Sequence, residues 1–345
     1  MLAEAERRLG LDSRCVTIDP PPYGYDADEI LGDRGVLLRE LRRWKTLIRA
    51  LRDVDVVHFN FGSSLLPRLP PRHRRAPWEA AFDLYARAVE LRDLPLLRLA
   101  GKRIFVTYQG DDVRPTGAAR GLSRAPAQLA ADARKARAAA VFARYADGIY
   151  ALNPDLLDYL PEQACFLPYA SVDLDAWRPV GSPASSGPPV VVHAPTDAAL
   201  KGTSALVAAV DRLRSDGLEV ELVLVTGVSR AAARREFERA DLGVDQLLSG
   251  WYGGVSVELM ALGKPVVAHV RSDWLERIPA EMRAELPLID ATPATIESVL
   301  REWLTGPRAQ LAEAGARGRA FVEAWHDPVR VAATVVADYE RAVAT

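Results

Sequence analysis

Asp241–Val270, DLGVDQLLSGWYGGVSVELMALGKPVVAHV, decides the fold. A short apolar strand runs into a turn holding Gly250, Gly253 and Gly254, the turn opens a helix, and the helix stops at Gly263 before the apolar strand PVVAHV. Glycines ahead of a helix N-terminus let backbone N–H groups approach an anion, and the helix dipole adds to the attraction. Glu258 lies one turn inside that helix, where a carboxylate is suited to accept hydrogen bonds from a ribose diol beside a phosphate. Outward from this stretch the same alternation recurs. Towards the N-terminus it predicts strands at Pro189–His193 and Val220–Thr226, with helices at Ser204–Ser215 and Arg230–Arg239. Beyond it a strand is expected at Leu286–Ile289, then helices at Ala294–Leu304, Arg308–Ala324 and Pro328–Val343.

The first half carries the same pattern, with strands expected at Cys15–Ile18, Val54–Asn60, Arg103–Tyr108, Gly148–Leu152 and Cys165–Leu167. Val-rich runs without strict alternation fit strands buried on both faces, as in a parallel sheet covered by helices. The chain therefore reads as α/β, two doubly wound domains. The charge-free stretch PVGSPASSGPP, 179–189, is the expected linker between residues 1–178 and a second domain at 190–327, with a last helix at 328–345 packing back on the first domain. Met1 opens directly on an amphipathic helix, so the first strand is expected either to be absent or to lie, with its turn, upstream of the start.

At 345 residues the chain exceeds one ordinary core, and 49% hydrophobic against 26% charged residues excludes global disorder. Cys15 and Cys165 make no disulfide framework, and no zinc-ligand spacing accompanies them. With no apolar run of about 18 residues and no signal-peptide pattern, a cytoplasmic location is expected. The net charge of −2 conceals a basic segment, 34–103, with 16 Lys or Arg against 7 Asp or Glu. Within it Arg68–Arg75, beside Trp78, reads either as a contact with an anionic membrane surface or as a solvated loop. A pI near 6.3 and the absence of a binding module argue against nucleic acid.

The string from Glu258 to Val267, ELMALGKPVV, resembles the donor-binding stretch of retaining GT-B glycosyltransferases of the group 1, family 4 type. The resemblance implies two Rossmann-like domains facing a cleft, and hexosyl transfer from a nucleotide diphosphate sugar, with no metal or other cofactor. It gives Glu258 the ribose hydroxyls, and Gly253 and Gly254 phosphate or sugar contacts. The family's first glutamate falls at Gly250. The segment His193–Thr203, HAPTDAALKGT, is similar to the stretch where an arginine and, five residues on, a lysine neutralise the diphosphate. Lys201 matches the lysine, and Thr196 stands where the arginine would. Lys264, beside Gly263, is expected to complement the helix C-terminus.

DVVHFNFG, 55–62, and VTYQGDD, 106–112, end strands and resemble the family's acceptor-side strand and the loop facing the donor sugar. Gln109 takes a position where histidine is usual. Asp111 and Gln109 are the candidates for the reacting region, and His58, Asn60 and Asp112 for the acceptor side. Three of these also have a structural reading: Asp111 and Asp112 as loop caps, His58 as a satisfied strand residue. The expected acceptor is a glycan, lipid or small molecule. Two rival readings are a non-catalytic nucleotide-sugar-binding paralogue and a GT-B nucleotide-sugar isomerase.

Overall fold

The computed structural model describes residues 1–20, 27–32, 35–67, 77–116, 126–180 and 187–345. Its contacts divide the chain into two units. The first is drawn from Gly10–Ala118, Leu122–Leu167 and Ala333–Thr345, the second from Met1–Leu9 and Pro168–Ala332. The opening helix α1 (Leu2–Arg8), grouped by position with the first domain, thus clusters with the second unit.

In the first unit, β1 (Val16–Thr17) and β2 (Glu29–Ile30) form a parallel pair. The main sheet holds β3 (Val56–Asn60), β4 (Arg103–Tyr108), β5 (Gly148–Ala151) and β6 (Cys165–Phe166), parallel and in chain order. Helices α2 (Val36–Asp53), α3 (Pro77–Val89), α4 (Asp93–Leu99) and α5 (Pro126–Tyr145) fall between the strands. Ile104 and Val106 of β4 pack with Leu47 of α2, Leu97 of α4 and Phe142 of α5, all fully buried. Each such side chain contributes roughly 1.5–3 kcal/mol.

The second unit's sheet holds β7 (Val190–His193), β8 (Glu221–Leu224), β9 (Leu242–Val244), β10 (Val266–Ala268) and β11 (Ile289–Asp290). All run parallel, in the spatial order β8-β7-β9-β10-β11. The connections are α6 (Ala198–Lys201), α7 (Thr203–Ser215), α8 (Arg230–Arg239), α9 (Gly254–Ala261) and α10 (Ala280–Glu285), followed by α11 (Ile296–Thr305), α12 (Arg308–Trp325) and α13 (Pro328–Val343). Val191, Val192, Leu242, Val244 and Val267 are buried, which explains why these strands read as apolar runs. A Cβ on Gly243 of β9 would lie 2.3 Å from Leu259 Cδ1, so this glycine lets α9 pack directly on β9.

Two expectations need correction. The strand expected at Leu286–Ile289 is Ile289–Asp290, because Pro287 has no N–H to give to a ladder and α10 runs to Glu285. The pair formed by β2 carries too few residues to show a period, and the sequence reading missed it. The expected linker falls largely outside the described residues, at 181–186, as does the basic stretch 68–75. Among the described residues no helix is long and apolar enough to cross a membrane.

The end of α13 belongs to the first unit and is fastened to its sheet. Tyr339 Oη meets His58 Nδ1 at 2.5 Å, and Tyr150 Oη donates to Asp338 Oδ2 at 2.6 Å. The Tyr339 ring packs edge-on against Phe105 at 4.7 Å.

Candidate functional site

Open parallel sheets bind ligands beyond the carboxyl ends of their strands, where the strand order reverses. In the second unit β8 lies on one side of β7 and β9 on the other, so the reversal falls between β7 and β9. His193 ends β7 and Val244 ends β9. Of the residues expected at the donor site, Lys201 and Gly253 meet at Asp245, and Glu258 lies within electrostatic range of that pair.

Asp245, the first residue past β9, is the centre of the arrangement. Its Oδ1 accepts from Lys201 Nζ at 2.5 Å, while Oδ2 accepts from Gly253 N and Ser256 Oγ, each at 2.7 Å. Burial alone would raise this carboxyl, but the Lys201 charge and these hydrogen bonds outweigh it and hold the group below the usual carboxylate range. Lys201 is therefore a buried, paired cation, with its side chain 11% exposed. The Gly253 N–H is likewise spent on Asp245, which anchors the turn to the sheet. The amides of the first turn of α9 therefore begin at Gly254, where the helix starts.

His193 is fully buried, and both ring nitrogens are engaged. Nδ1 donates to Val244 O at 2.8 Å and Nε2 accepts from Thr203 Oγ1 at 2.8 Å, with burial lowering its pKa. It ties β7 to β9 and the start of α7; within this arrangement it has no nitrogen left for a ligand. Thr196 is exposed, and the neighbouring Asp197 caps α6 through Ala199 N and Leu200 N. Gly250 has φ +73°, and a Cβ there would lie 2.7 Å from both Arg271 Cδ and Trp274 Cζ3. The glycine is required by the backbone at a position where the resembled motif carries glutamate.

Glu258 is mostly buried, its Oε1 accepting from Arg230 Nε at 2.8 Å. Burial pushes its carboxyl above the usual range, and the Arg230 charge and hydrogen bond pull the other way. Lys264 is buried, with no hydrogen-bond partner for Nζ among the described residues, and burial lowers its pKa. It does not bond the carbonyls at the end of α9 as expected.

In the first unit, Asn60 ends β3 and Gln109 follows β4, and their side chains meet at 3.4 Å. Asp112 accepts from Gln109 N at 2.9 Å and Gly110 N at 2.7 Å, so it holds the turn. Burial raises its pKa against the pull of those N–H groups. Asp111 points outward, its side chain 79% exposed and 3.4 Å from Arg114, whose guanidinium is held by Asp155 at 2.7 Å. His58 is a fastening residue: Nε2 meets Thr107 Oγ1 at 2.7 Å, Nδ1 meets Tyr339, and burial pushes its pKa down to about 3. Asn60, Gln109 and Asp111 are thus the expected acceptor-side or reacting groups whose side chains remain least committed to the fold.

The sequence reading missed Asp245 and Arg230. Asp245 was detectable as an acidic residue immediately following a buried strand of a doubly wound sheet. Arg230 stands among several arginines in RAAARRE, and nothing local distinguishes it.

No protein-family model matches the chain, and no curated protein matches it in sequence. Among solved structures it is similar to sucrose-phosphate synthase from Thermosynechococcus elongatus, with a TM-score of 0.65 at 17% identity over 99% of this chain and 92% of that one. It is also similar to the catalytic domain of starch synthase IV from Arabidopsis thaliana, solved bound to ADP and acarbose (TM-score 0.52, 12% identity, 89% of this chain, 77% of that one). A glycosyltransferase from Rickettsia africae gives a TM-score of 0.51 at 12% identity, over 90% of this chain and 83% of that one. The fold is GT-B, with two Rossmann-like α/β units.

Proposed function

We propose that the protein is a glycosyltransferase moving a hexose-type sugar from a nucleotide diphosphate sugar to a glycan, lipid or small-molecule acceptor, with retention. The observation that carries this reading is the grouping of Glu258, Lys201 and the start of α9 beyond the ends of β7 and β9, in a GT-B chain. Glu258 takes the ribose hydroxyls. Gly254 and the first turn of α9 face the diphosphate with the positive end of the helix, and Lys201 contributes from behind as half of a rigid pair. Charge developing on the leaving diphosphate is then met by fixed dipoles that need no reorganisation and no metal. Asn60, Gln109 and Asp111 are assigned to the acceptor, and the departing phosphate is a suitable base for the acceptor proton.

A thermal-shift screen with UDP-, GDP-, ADP- and dTDP-sugars tests the donor class, since a ligand of the folded state raises the melting temperature. With the nucleotide so found, Glu258→Ala is expected to weaken binding at least tenfold in calorimetry. Unchanged affinity would remove the carboxylate from the site. Product analysis with and without acceptor separates transfer from isomerisation.

We further propose a peripheral contact of the first unit with anionic membranes, carried by α2. Leu37, Leu41 and Ile48 lie on one stripe of this helix at 76%, 59% and 53% exposure, and exposed Lys45 and Arg52 continue it. Sedimentation with phosphatidylglycerol vesicles is expected to carry the protein down, and Leu41→Glu to release it. Equal recovery with neutral vesicles would contradict the contribution of charge.

A further inference from the structure

Glu258 is held from outside its own helix. Arg230 opens α8, and its guanidinium reaches two acceptors, Glu258 Oε1 through Nε at 2.8 Å and Ser171 O through Nη2 at 2.9 Å. Its carbon Cζ lies over the Trp177 ring, 5.1 Å from the centroid. Arg234, one turn further along α8, lies over the same ring at 5.1 Å and donates to Ala176 O at 3.0 Å. Carboxylate, carbonyl and aromatic face thus fix one planar fork in a single orientation, the use for which arginine is better suited than lysine. The pair is partly sheltered, with side chains 25% and 13% exposed, so its attraction is less screened than that of a surface pair.

We propose that Arg230 is a positioning residue for nucleotide ribose: anchored on Trp177 and Ser171, it keeps Glu258 ionised and aimed, so that the carboxylate can accept both ribose hydroxyls. This assignment rests on the nucleotide-binding reading of Glu258. Among the described residues, the charged groups facing Glu258 leave Arg230 as the cation bonded to it. Lys201 of α6 and Asp245 after β9 pair with each other, and Arg234 is turned to Trp177 and to Glu238. From α12, Arg319 is committed to the carbonyls of Trp177 and Ala261 and to Glu323. Without Arg230 the burial that already raises the Glu258 carboxyl acts with little opposition.

The test uses the full chain as wild type, Arg230→Gln and Arg230→Lys, with two measurements. Carbon-detected NMR follows the Glu258 carboxyl through a pH titration without ligand, its signal assigned by Glu258→Gln. The midpoint is expected to rise by one pH unit or more in Arg230→Gln and by less in Arg230→Lys, which keeps the charge but loses the fork. Calorimetry then measures ADP, UDP, GDP and their 2′,3′-dideoxy counterparts between pH 5.5 and 8. In Arg230→Gln, affinity for the ribose nucleotide is expected to fall about tenfold per pH unit below the new midpoint, while in wild type the same fall begins only below its own, lower midpoint. The dideoxy nucleotides should bind both proteins alike. An unmoved Glu258 midpoint overturns the proposal, and an equal loss for ribose and dideoxy nucleotides overturns it by making Arg230 a phosphate contact. If wild type binds none of the nucleotides, the nucleotide reading falls and the ribose role with it, and the carboxyl titration still reports whether Arg230 holds Glu258 charged.

Discussion

Both units place polar side chains just past the carboxyl ends of parallel strands, but they treat them in opposite ways. Beyond β7 and β9, Lys201, Asp245, Ser256 and Glu258 are buried or nearly so, and each has a partner fixed by a separate element. Beyond β3 and β4, Asp112 turns inward to hold backbone amides, leaving Asn60 and Asp111 on the surface. Under the proposed roles the difference matches two chemical tasks. A diphosphate has fixed charge and geometry, so a preformed site with oriented dipoles loses little entropy on binding it. A hydroxyl acceptor is neutral, and a few hydrogen-bonding groups on a surface loop serve it.

The largest effect should come from breaking the buried centre of the second unit. Asp245→Ala removes the partner of Lys201 and the acceptor of Gly253 N and Ser256 Oγ together, leaving an uncompensated buried ammonium. Loss of one member of a buried pair costs about 3–5 kcal/mol. Chemical denaturation should show that loss, and nucleotide binding should disappear with the anchored turn. A change below 1 kcal/mol would mean that the site is no more rigid than its counterpart in the first unit.

Acid should follow, and it acts on both units. His326 in the second unit donates to Tyr169 O and accepts from Tyr252 Oη, and burial pushes its pKa down to about 4. His58 in the first unit is pushed down to about 3 by the same cause. Unfolded histidine titrates near 6.5, so between that value and the folded pKa the unfolded state binds the extra proton, and stability falls as the pH drops. For His326 the loss from pH 6.5 to 4 is on the order of 3 kcal/mol. Asp245 works in the other window: its lowered pKa gives stability that is complete above about 3.9 and is lost only below it. Denaturation midpoints at pH 7 and pH 4.5 should therefore differ in wild type, and His326→Gln should flatten part of that slope. Equal slopes would place the acid sensitivity elsewhere.

How much of this was legible in the sequence follows from the range of each interaction. Arg103–Tyr108, Arg230–Arg239 and Pro328–Val343 are found within the bounds read from the sequence, since apolar period, Ser229 as a cap and proline at a helix start are local. Lys201 and Glu258 were picked out by the motifs around them. Their partners were not, because Asp245 lies 44 residues from Lys201 and Arg230 lies 28 from Glu258, and no spacing rule reaches that far. Gly250 shows the same limit from the other side: as a motif position it looks like a lost glutamate, whereas its φ of +73° and the crowding by Arg271 and Trp274 make it a backbone requirement.

The smallest effect on stability, and the sharpest division between the units, is expected at Asp111. Its side chain is 79% exposed, and its neighbouring cation among the described residues, Arg114, is already held by Asp155. Replacing an exposed carboxylate by an amide of the same shape normally moves stability by no more than about 0.5 kcal/mol. Asp111→Asn should therefore leave the denaturation midpoint and nucleotide affinity as they are. If Asp111 orients an acceptor hydroxyl, the variant lowers transfer alone, through kcat or the acceptor KM, and the donor KM stays constant. If transfer is also unchanged, Asp111 is a loop residue, and the acceptor role narrows to Gln109 and Asn60. Either result separates an exposed carboxylate of the first unit, which can be altered without cost to the fold, from the Lys201–Asp245 pair of the second, which is built into its core.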